Sequence, residues 1–427
     1  MKVCHVAMGD LWAGAEVQLL TLMTYLVRLP RFEWSVVLFN EGRLADELRK
    51  LPLSLTVIPE RHHSPIAIAF HLAKIFRQFR PDIVHTHKYK DSILGSIVAR
   101  CMGVPHVIRV VHGMPEPFNG LRNAKMAGYT IVDRFVTAWY VDKVIAVSSD
   151  IEKVLLRTYG ANRVVCIHNG IDLDAVHVTM QRADKRKEWH VDGKAILIGT
   201  VGRLVPVKGH AVLLEALRIL RRSHPNATLL FVGDGPLRGH LEAETKRLSL
   251  DQSVIFSGHQ EQSYDFINMM DIFVLPSLHE GIPMVLLEAF ALKRPVIASR
   301  VGGIPEVVSH GHSGMLVSPA NADELASGIG DMIENPAKAA ACGVAGRSQV
   351  ECEFSANMMA NRTVAMYRPS TMKYMRLGSI NRHPGHRGSH LRIVCGRYRS
   401  FVPVLSGFRS QKILLVLVVI GGQSVAC

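Results

Sequence analysis

Paired cysteines, long apolar runs and a dinucleotide fingerprint are all missing from this chain. Its seven cysteines are scattered and nowhere form Cys-x-x-Cys, which argues against a disulfide framework or a thiolate zinc site and fits a reducing cytoplasm. The longest unbroken apolar run, Ile413 to Ile420, is far short of the ~20 residues that a membrane-spanning helix needs. The opening Met1-Lys-Val-Cys-His-Val-Ala-Met is too short for a signal segment, lacks a small-residue cleavage site, and reads as a first buried strand. A nicotinamide-binding turn wants Gly-x-Gly-x-x-Gly after a strand; Gly233-Asp-Gly-Pro-Leu-Arg lacks the third glycine, and Gly239 comes one residue late. No helical stretch carries a basic stripe interleaved with aromatics, so nucleic acid is not an expected partner.

What is present begins with charge. The formal net charge is +14, but residues 368–427 hold ten Lys or Arg and no Asp or Glu, which leaves +4 for residues 1–367. A mildly basic body suits phosphate-bearing ligands or peripheral contact with an anionic membrane. The 368–427 stretch is compositionally foreign. It reads as an aberrant extension or as an electrostatic membrane contact, expected to be poorly ordered unless its apolar end docks.

Short β-type runs alternate with helical patterns: Lys2 to Ala7, then Glu16 to Val27; Ser35 to Phe39, then Arg43 to Lys50; Asp82 to His85, then Ser92 to Met102. A second series runs from Ile196–Val201 through helix His210–Ser223, Thr228–Val232, helix Pro236–Leu248, Val254–Ser257, Ile272–Leu275 and helix Met284–Leu292 to Pro295–Ser299. Such alternation predicts parallel sheets with crossover helices. The expected organisation is a first α/β domain over 1–172, a polar linker over 173–193, a second α/β domain over 194–352 and a helix over 353–367 before the tail.

Chemistry concentrates after the strands of the second series. In Pro276-Ser-Leu-His-Glu-Gly-Ile-Pro-Met-Val-Leu-Leu-Glu, a helix begins near Pro283. The residues Gly281, Ile282, Met284 and Val285 therefore offer free amides at a positive helix end, a ready pyrophosphate site. Glu280 precedes that turn and Glu288 lies inside the helix; at ~1.5 Å rise per residue, one can face a sugar while the other reaches a ribose. The bland alternative makes Glu280 a helix cap and Glu288 a solvated or structural carboxylate. In Gly202-Arg-Leu-Val-Pro-Val-Lys-Gly-His, Arg203 and Lys208 leave a strand's carboxyl end, where a guanidinium and an ammonium neutralise a departing diphosphate.

Taken in order, Gly-Arg-Leu-x-x-x-Lys-Gly, Val232-Gly-Asp-Gly-Pro, Pro276-Ser-x-x-Glu-Gly with a second Glu eight residues on, and Gly302-Gly-Ile-Pro-Glu resemble the retaining glycosyltransferase family 4, of the GT-B, glycogen synthase-like superfamily. The resemblance covers roughly residues 1–367 and is strongest over 196–320. It implies two Rossmann-like parallel-sheet domains facing a central cleft, with a carboxyl-terminal helix returning to the first domain.

The resemblance also assigns roles. Arg203 and Lys208 would hold the donor's phosphates, Glu288 the ribose and Glu280 the sugar hydroxyls. Gly233, Asp234, Gly235 and His259 would border the base, with ordinary turn roles as the alternative for Asp234 and His259, and Gly202 would belong to the same donor site. Gly14, in Trp12-Ala-Gly-Ala-Glu, would let backbone approach the donor across the cleft; the family often has two adjacent glycines where this chain has Ala13-Gly14. His112, in Val110-Val-His-Gly-Met, matches a histidine beside the reaction centre. His85-Thr-His87 has a metal-like spacing but no evident third ligand, and is read as cleft-lining or acceptor-side.

The resemblance further implies a nucleotide-sugar donor, UDP-hexose or GDP-mannose, and transfer with retention to a glycan or lipid-linked acceptor. No cofactor and no metal are expected, consistent with the lack of Asp-x-Asp in the expected place. Trp12, Phe118, Trp139 and Tyr140 are candidate acceptor-side aromatics. Two other readings stay open: a glycoside hydrolase using Glu280 and Glu288 as its acid/base pair, and a non-catalytic sugar- or nucleotide-binding protein or inactive member of the same fold.

Overall fold

The computed structural model describes residues 1–9, 12–113, 121–261 and 263–367. The tail over 368–427 and Phe118 lie outside them. Among the described residues thirteen strands form two sheets, and every paired strand runs parallel. The first sheet holds β1 (Lys2–Ala7), β2 (Glu33–Leu38), β3 (Ser54–Val57), β4 (Ile83–Thr86), β5 (His106–Val111), β6 (Lys143–Ala146) and β7 (Val164–Cys166), in the order β3-β2-β1-β4-β5-β6-β7. The second holds β8 (Ile196–Val201), β9 (Ala227–Val232), β10 (Val254–Phe256), β11 (Ile272–Leu275), β12 (Val296–Ser299) and β13 (Met315–Val317), in the order β10-β9-β8-β11-β12-β13.

Helices cover these sheets, which is why strands such as β8 are apolar through most of their length and buried. In each sheet the strand order reverses beside the first strand, between β1 and β4 and between β8 and β11. Open α/β sheets bind ligands at that point, beyond the strands' carboxyl ends. The described segments that follow are 8–9, 12–14 and 87–88 in the first unit, and 202–208 and 276–281 in the second.

Element ends differ from the sequence reading by up to three residues. The helix expected from Ser92 starts at Tyr89, because the Asp91 carboxylate accepts the amides of His87 and Lys88 at 2.9 and 2.8 Å and holds the first turn. The stretch expected as a linker, 173–193, is folded onto the second unit instead. It contains the helix Arg182–Glu188, anchored by Arg186 on Asp271 at 2.5 Å and on the Met269 carbonyl at 3.0 Å, and followed by Trp189 edge-on to Phe266.

The chain crosses between units at 169–171 and returns beside itself at 354–356. Ile171 donates to the Phe354 carbonyl at 2.8 Å, and Ala356 donates back to Ile171 at 2.9 Å. The returning helix, Ala356–Met366, buries Met359, Ala360 and Met366 in the first unit's core, with Tyr367 just beyond it.

Candidate active site

Turns at the carboxyl ends of β8, β9 and β11 supply the charged groups. Lys208 ends the short helical turn Pro206–Lys208 after β8, and its Nζ lies 2.5 Å from Glu280 Oε1. The same carboxylate oxygen accepts the Ser277 hydroxyl at 2.7 Å. The pair is largely enclosed, with side-chain exposures of 18% and 12%, so it is weakly screened and charge-assisted. Glu280 therefore does not cap the following helix, and the bland reading of it fails.

That helix, Met284–Ala291, has Pro283 at its N-cap and no side-chain cap. Of its first-turn amides, that of Leu286 donates to the Pro283 carbonyl at 3.1 Å, which leaves those of Met284 and Val285 as the donors at the helix start. Glu288 sits on it, buried rather than solvated, and burial pushes its pKa up to about 7. Tyr264 is its electrostatic neighbour, its hydroxyl pKa raised by burial and by Glu288. Arg203 is exposed and forms no ion pair among the described residues.

The base-side residues are turn builders. Asp234 Oδ1 accepts the Gly235 amide at 2.7 Å, and its other oxygen accepts Arg238 at 3.1 Å. Gly233 donates to the Gly258 carbonyl at 2.8 Å and crosses against the Gly202 carbonyl, while Gly235 packs on Leu204. His259 is exposed beside this turn.

From the first unit, Gly14 opens the helix Gly14–Leu26, and a Cβ there would lie 3.9 Å from Met284 Cγ across the cleft. At Gly281 a Cβ would stand 2.7 Å from the His112 carbonyl oxygen and 3.1 Å from Val147 Cγ2, so glycine is required where the two units meet. Asn169 Nδ2 fixes the same loop by donating to the Ile282 carbonyl at 2.8 Å. His112 stacks on His87 with centroids 5.7 Å apart, and both its nitrogens are buried without a hydrogen-bond partner among the described residues. Burial, with Lys88 and Arg109 adding repulsion, pulls its pKa down to about 3. It is a neutral imidazole with hydrogen-bonding capacity to spare.

One reading from sequence is overturned here. His85 and His87 do have a third nitrogen donor, because β1 pairs with β4 in a register that sets His5 against His85. The ligand atoms of His5, His85 and His87 lie within 4.8 Å of one another. His5 Nδ1 and His87 Nε2 share a proton over 3.0 Å, and His85 Nδ1 meets the Tyr367 hydroxyl at 2.8 Å. Burial lowers the pKa of all three, so these are neutral rings competent to ligate a metal, and His87 also lines the small pocket it shares with Ala15, Glu16 and Lys88.

Sequence reasoning missed a clasp between the units. Glu306, in the Gly-Gly-Ile-Pro-Glu motif, accepts the Ser149 amide at 2.8 Å, the Ser149 hydroxyl at 2.7 Å and His168 Nε2 at 2.8 Å. Among the proposed acceptor aromatics, Tyr140 packs inward with Ile93, Ile97 and Val136, Trp12 lies under the Arg43 guanidinium at 4.3 Å, and Trp139 is 74% exposed.

Comparison with known proteins agrees with this geometry. Residues 12–175 match the family described as Glycosyltransferase Family 4, and residues 181–349 match Glycosyl transferases group 1. The alpha-maltose-1-phosphate synthase of Mycolicibacterium smegmatis is 31% identical over 308 residues, 67% of this chain and 78% of the relative. The Escherichia coli UDP-Gal:alpha-D-GlcNAc-diphosphoundecaprenol alpha-1,3-galactosyltransferase is 26% identical over 345 residues, 77% of this chain and 87% of that one. The crystal structure of Anabaena HepE in complex with UDP-glucose has the same fold, with a TM-score of 0.75 at 22% identity over 86% of this chain and 99% of that one. With two Rossmann-like units closed on a shared cleft and both halves matched, the chain belongs to the family 4 glycosyltransferases.

Proposed function

We propose that this chain moves a hexose from a nucleotide sugar, UDP-hexose or GDP-mannose, to a lipid-linked or cell-surface polysaccharide precursor, with retention of configuration and without a metal. The observation that carries this is the Lys208 ammonium held 2.5 Å from Glu280 beside an uncapped helix start. Breaking the glycosyl phosphate bond sends its electron pair to the diphosphate, and a fixed cation with aligned amides stabilises that charge. The acceptor hydroxyl bonds to the anomeric carbon on the same face and passes its proton to the departing phosphate. Glu280 orients sugar hydroxyls, Arg203 folds in from solvent onto the phosphates, Glu288 accepts from the ribose, and neutral His112 hydrogen-bonds the sugar.

The named substrates of relatives favour this reading. The Escherichia coli relative is named for UDP-galactose and an undecaprenyl diphosphate acceptor, and the Anabaena protein binds UDP-glucose. A lipid-linked acceptor places the reaction in the cytoplasm, at the inner membrane face. Among the described residues no helix is long and apolar enough to cross a membrane, so the contact would be peripheral.

A thermal-shift panel of UDP-, GDP- and ADP-sugars tests the donor assignment, since a ligand bound by the folded state raises the melting point. One donor class is expected to stabilise the protein and to lose its effect in Glu280→Ala. Absence of stabilisation by every nucleotide sugar defeats the proposal, and stabilisation abolished by EDTA defeats its metal-free form. Hydrolysis of a nitrophenyl glycoside without nucleotide would favour a hydrolase.

A further inference from the structure

The first unit carries an apolar face that the cleft does not use. Helices Pro65–Phe79, Tyr89–Cys101 and Leu121–Tyr140 lie side by side, the middle one packed on both neighbours and largely buried. The outer two turn large apolar side chains outward: Ile66 and Phe70 from one, and Ile131, Phe135 and Trp139 from the other. The last three recur at four-residue spacing and so stand on one face. Phe135 and Trp139 are in ring contact, 5.9 Å between centroids. Phe70 is 73% exposed and Trp139 74%. The inner side of the 121–140 helix is already satisfied, with Val136 buried against Ile93 and Ile97. The outer stripe is surplus to the fold, and such surfaces mark interaction sites.

Charge says which partner. Helix Pro65–Phe79 contains no acidic residue, and its exposed Lys74 and Arg77 fall on the same face as Ile66 and Phe70. The only carboxylate of the 121–140 helix, Asp133, is buried 2.7 Å from Arg109, whereas Arg134 is exposed. Residues 1–172 hold 21 Lys or Arg against 15 Asp or Glu, a net +6; residues 173–367 hold 19 against 21, a net −2. The apolar stripe is thus rimmed by uncompensated cations on the basic unit. A second copy placed face to face would set those cations against each other.

We propose that this face docks on an anionic bilayer, with Ile131, Phe135 and Trp139 entering the headgroup region and Lys74, Arg77 and Arg134 resting on lipid phosphates. This deepens the proposed function by naming the surface that would bring a lipid-linked acceptor to the cleft, and it rests on that reading for its purpose, while the binding stands alone.

The test is co-sedimentation of the full chain with phosphatidylcholine vesicles with and without phosphatidylglycerol. Binding is expected only with the anionic lipid and is expected to weaken with salt. The double variant Phe135→Ala/Trp139→Ala should lose about tenfold or more in partitioning, and Lys74→Gln and Arg77→Gln about fivefold each. Because these side chains stand in solvent, melting temperature and nucleotide-sugar stabilisation should not move. The 368–427 segment is common to every variant, so the difference between variants reads this face alone. Equal partitioning of the double variant, or no binding to anionic vesicles, overturns the inference. So does a wild-type dimer that the double variant splits. Loss of donor stabilisation with vesicle binding intact would instead overturn only the transferase reading.

Discussion

Glu306 offers the sharpest test of how the cleft closes. It belongs to the second unit, yet its carboxylate takes hydrogen bonds from Ser149 and His168 of the first, at 2.7 to 2.8 Å. Ser149 opens the helix Ser149–Tyr159, so the carboxylate also meets a positive helix end. Glu306→Gln keeps the shape but removes the charge and turns an amide nitrogen toward donors. Hydrogen bonds to charged groups contribute ~1.5–3 kcal/mol each, but the Glu306 and His168 side chains are 21% and 23% exposed. A discounted loss of about 2 kcal/mol in closure is expected, a shift of about thirtyfold in the open-to-closed ratio.

Steady-state transfer and small-angle scattering with and without donor read that shift. We expect a reduced kcat/KM, a larger radius in the donor complex and a melting point close to wild type, since neither core is touched. The clasp also has a pH signature. Burial pushes the Glu306 pKa up, but the bonds from His168 and Ser149 outweigh it and hold the pKa below the ordinary carboxylate value. A carboxylate with a lowered pKa contributes fully above its ordinary range and loses that contribution as pH falls through the lowered value. Acid should therefore open the wild type and leave the variant's scattering unchanged. A variant with wild-type kcat/KM and compactness would refute the clasp.

Three further outcomes are expected. Glu288, its pKa raised by burial to about 7 from 4.5, holds its proton in the folded chain. Stability should thus fall as pH climbs from the ordinary value through about 7, by about 3 kcal/mol in all. Glu288→Gln should flatten that fall in thermal denaturation, and should also flatten the rise in donor affinity expected as the wild-type carboxylate ionises to accept ribose hydroxyls. Lys208→Ala should reduce kcat about a hundredfold, a barrier of about 3 kcal/mol, with arginine a poor substitute because the enclosed pair fits one ammonium; unaltered turnover would remove Lys208 from the chemistry. Gly281→Ala should hold the units apart, since its Cβ would stand 2.7 Å from the His112 carbonyl; circular dichroism should be unchanged while transfer is lost.

The strand-to-helix alternation was legible because buried parallel strands are unbroken apolar runs, and β1, β8 and β11 fall where the pattern puts them. Lys208, Glu280 and Glu288 could be singled out as candidates as well, because a cation after one strand and carboxylates around the next helix are local patterns. What escaped depends on contacts between distant segments. The third imidazole, His5, joins His85 and His87 only because β1 and β4 are neighbours. Glu306 reaches Ser149 across 157 residues, and nothing near either residue signals the partner. The 173–193 stretch looks like a linker because its helix is short and charged, and its anchor, Asp271, lies far along the chain.

The glycines of the second unit explain why its turns can carry charge at fixed places. Gly209, just after Lys208, adopts φ +65°, and a side chain there would overlap the Pro276 carbonyl. Gly302, after β12, adopts φ +52°, and a side chain there would overlap the Glu280 carbonyl. Each glycine thus lets the turn from one strand press on the backbone of its neighbour, and Glu280 is held from both sides: by Lys208 on the β8 turn and by Gly302 on the β12 turn. An ammonium and a carboxylate on free loops would spend much of their time apart in water, since exposed pairs contribute ~0–1 kcal/mol. Backbone-to-backbone packing removes that freedom before any ligand arrives. On the proposed reading, the electrostatic part of catalysis is therefore built into the turns, and Arg203, which stands in solvent, is the part expected to move when a donor binds.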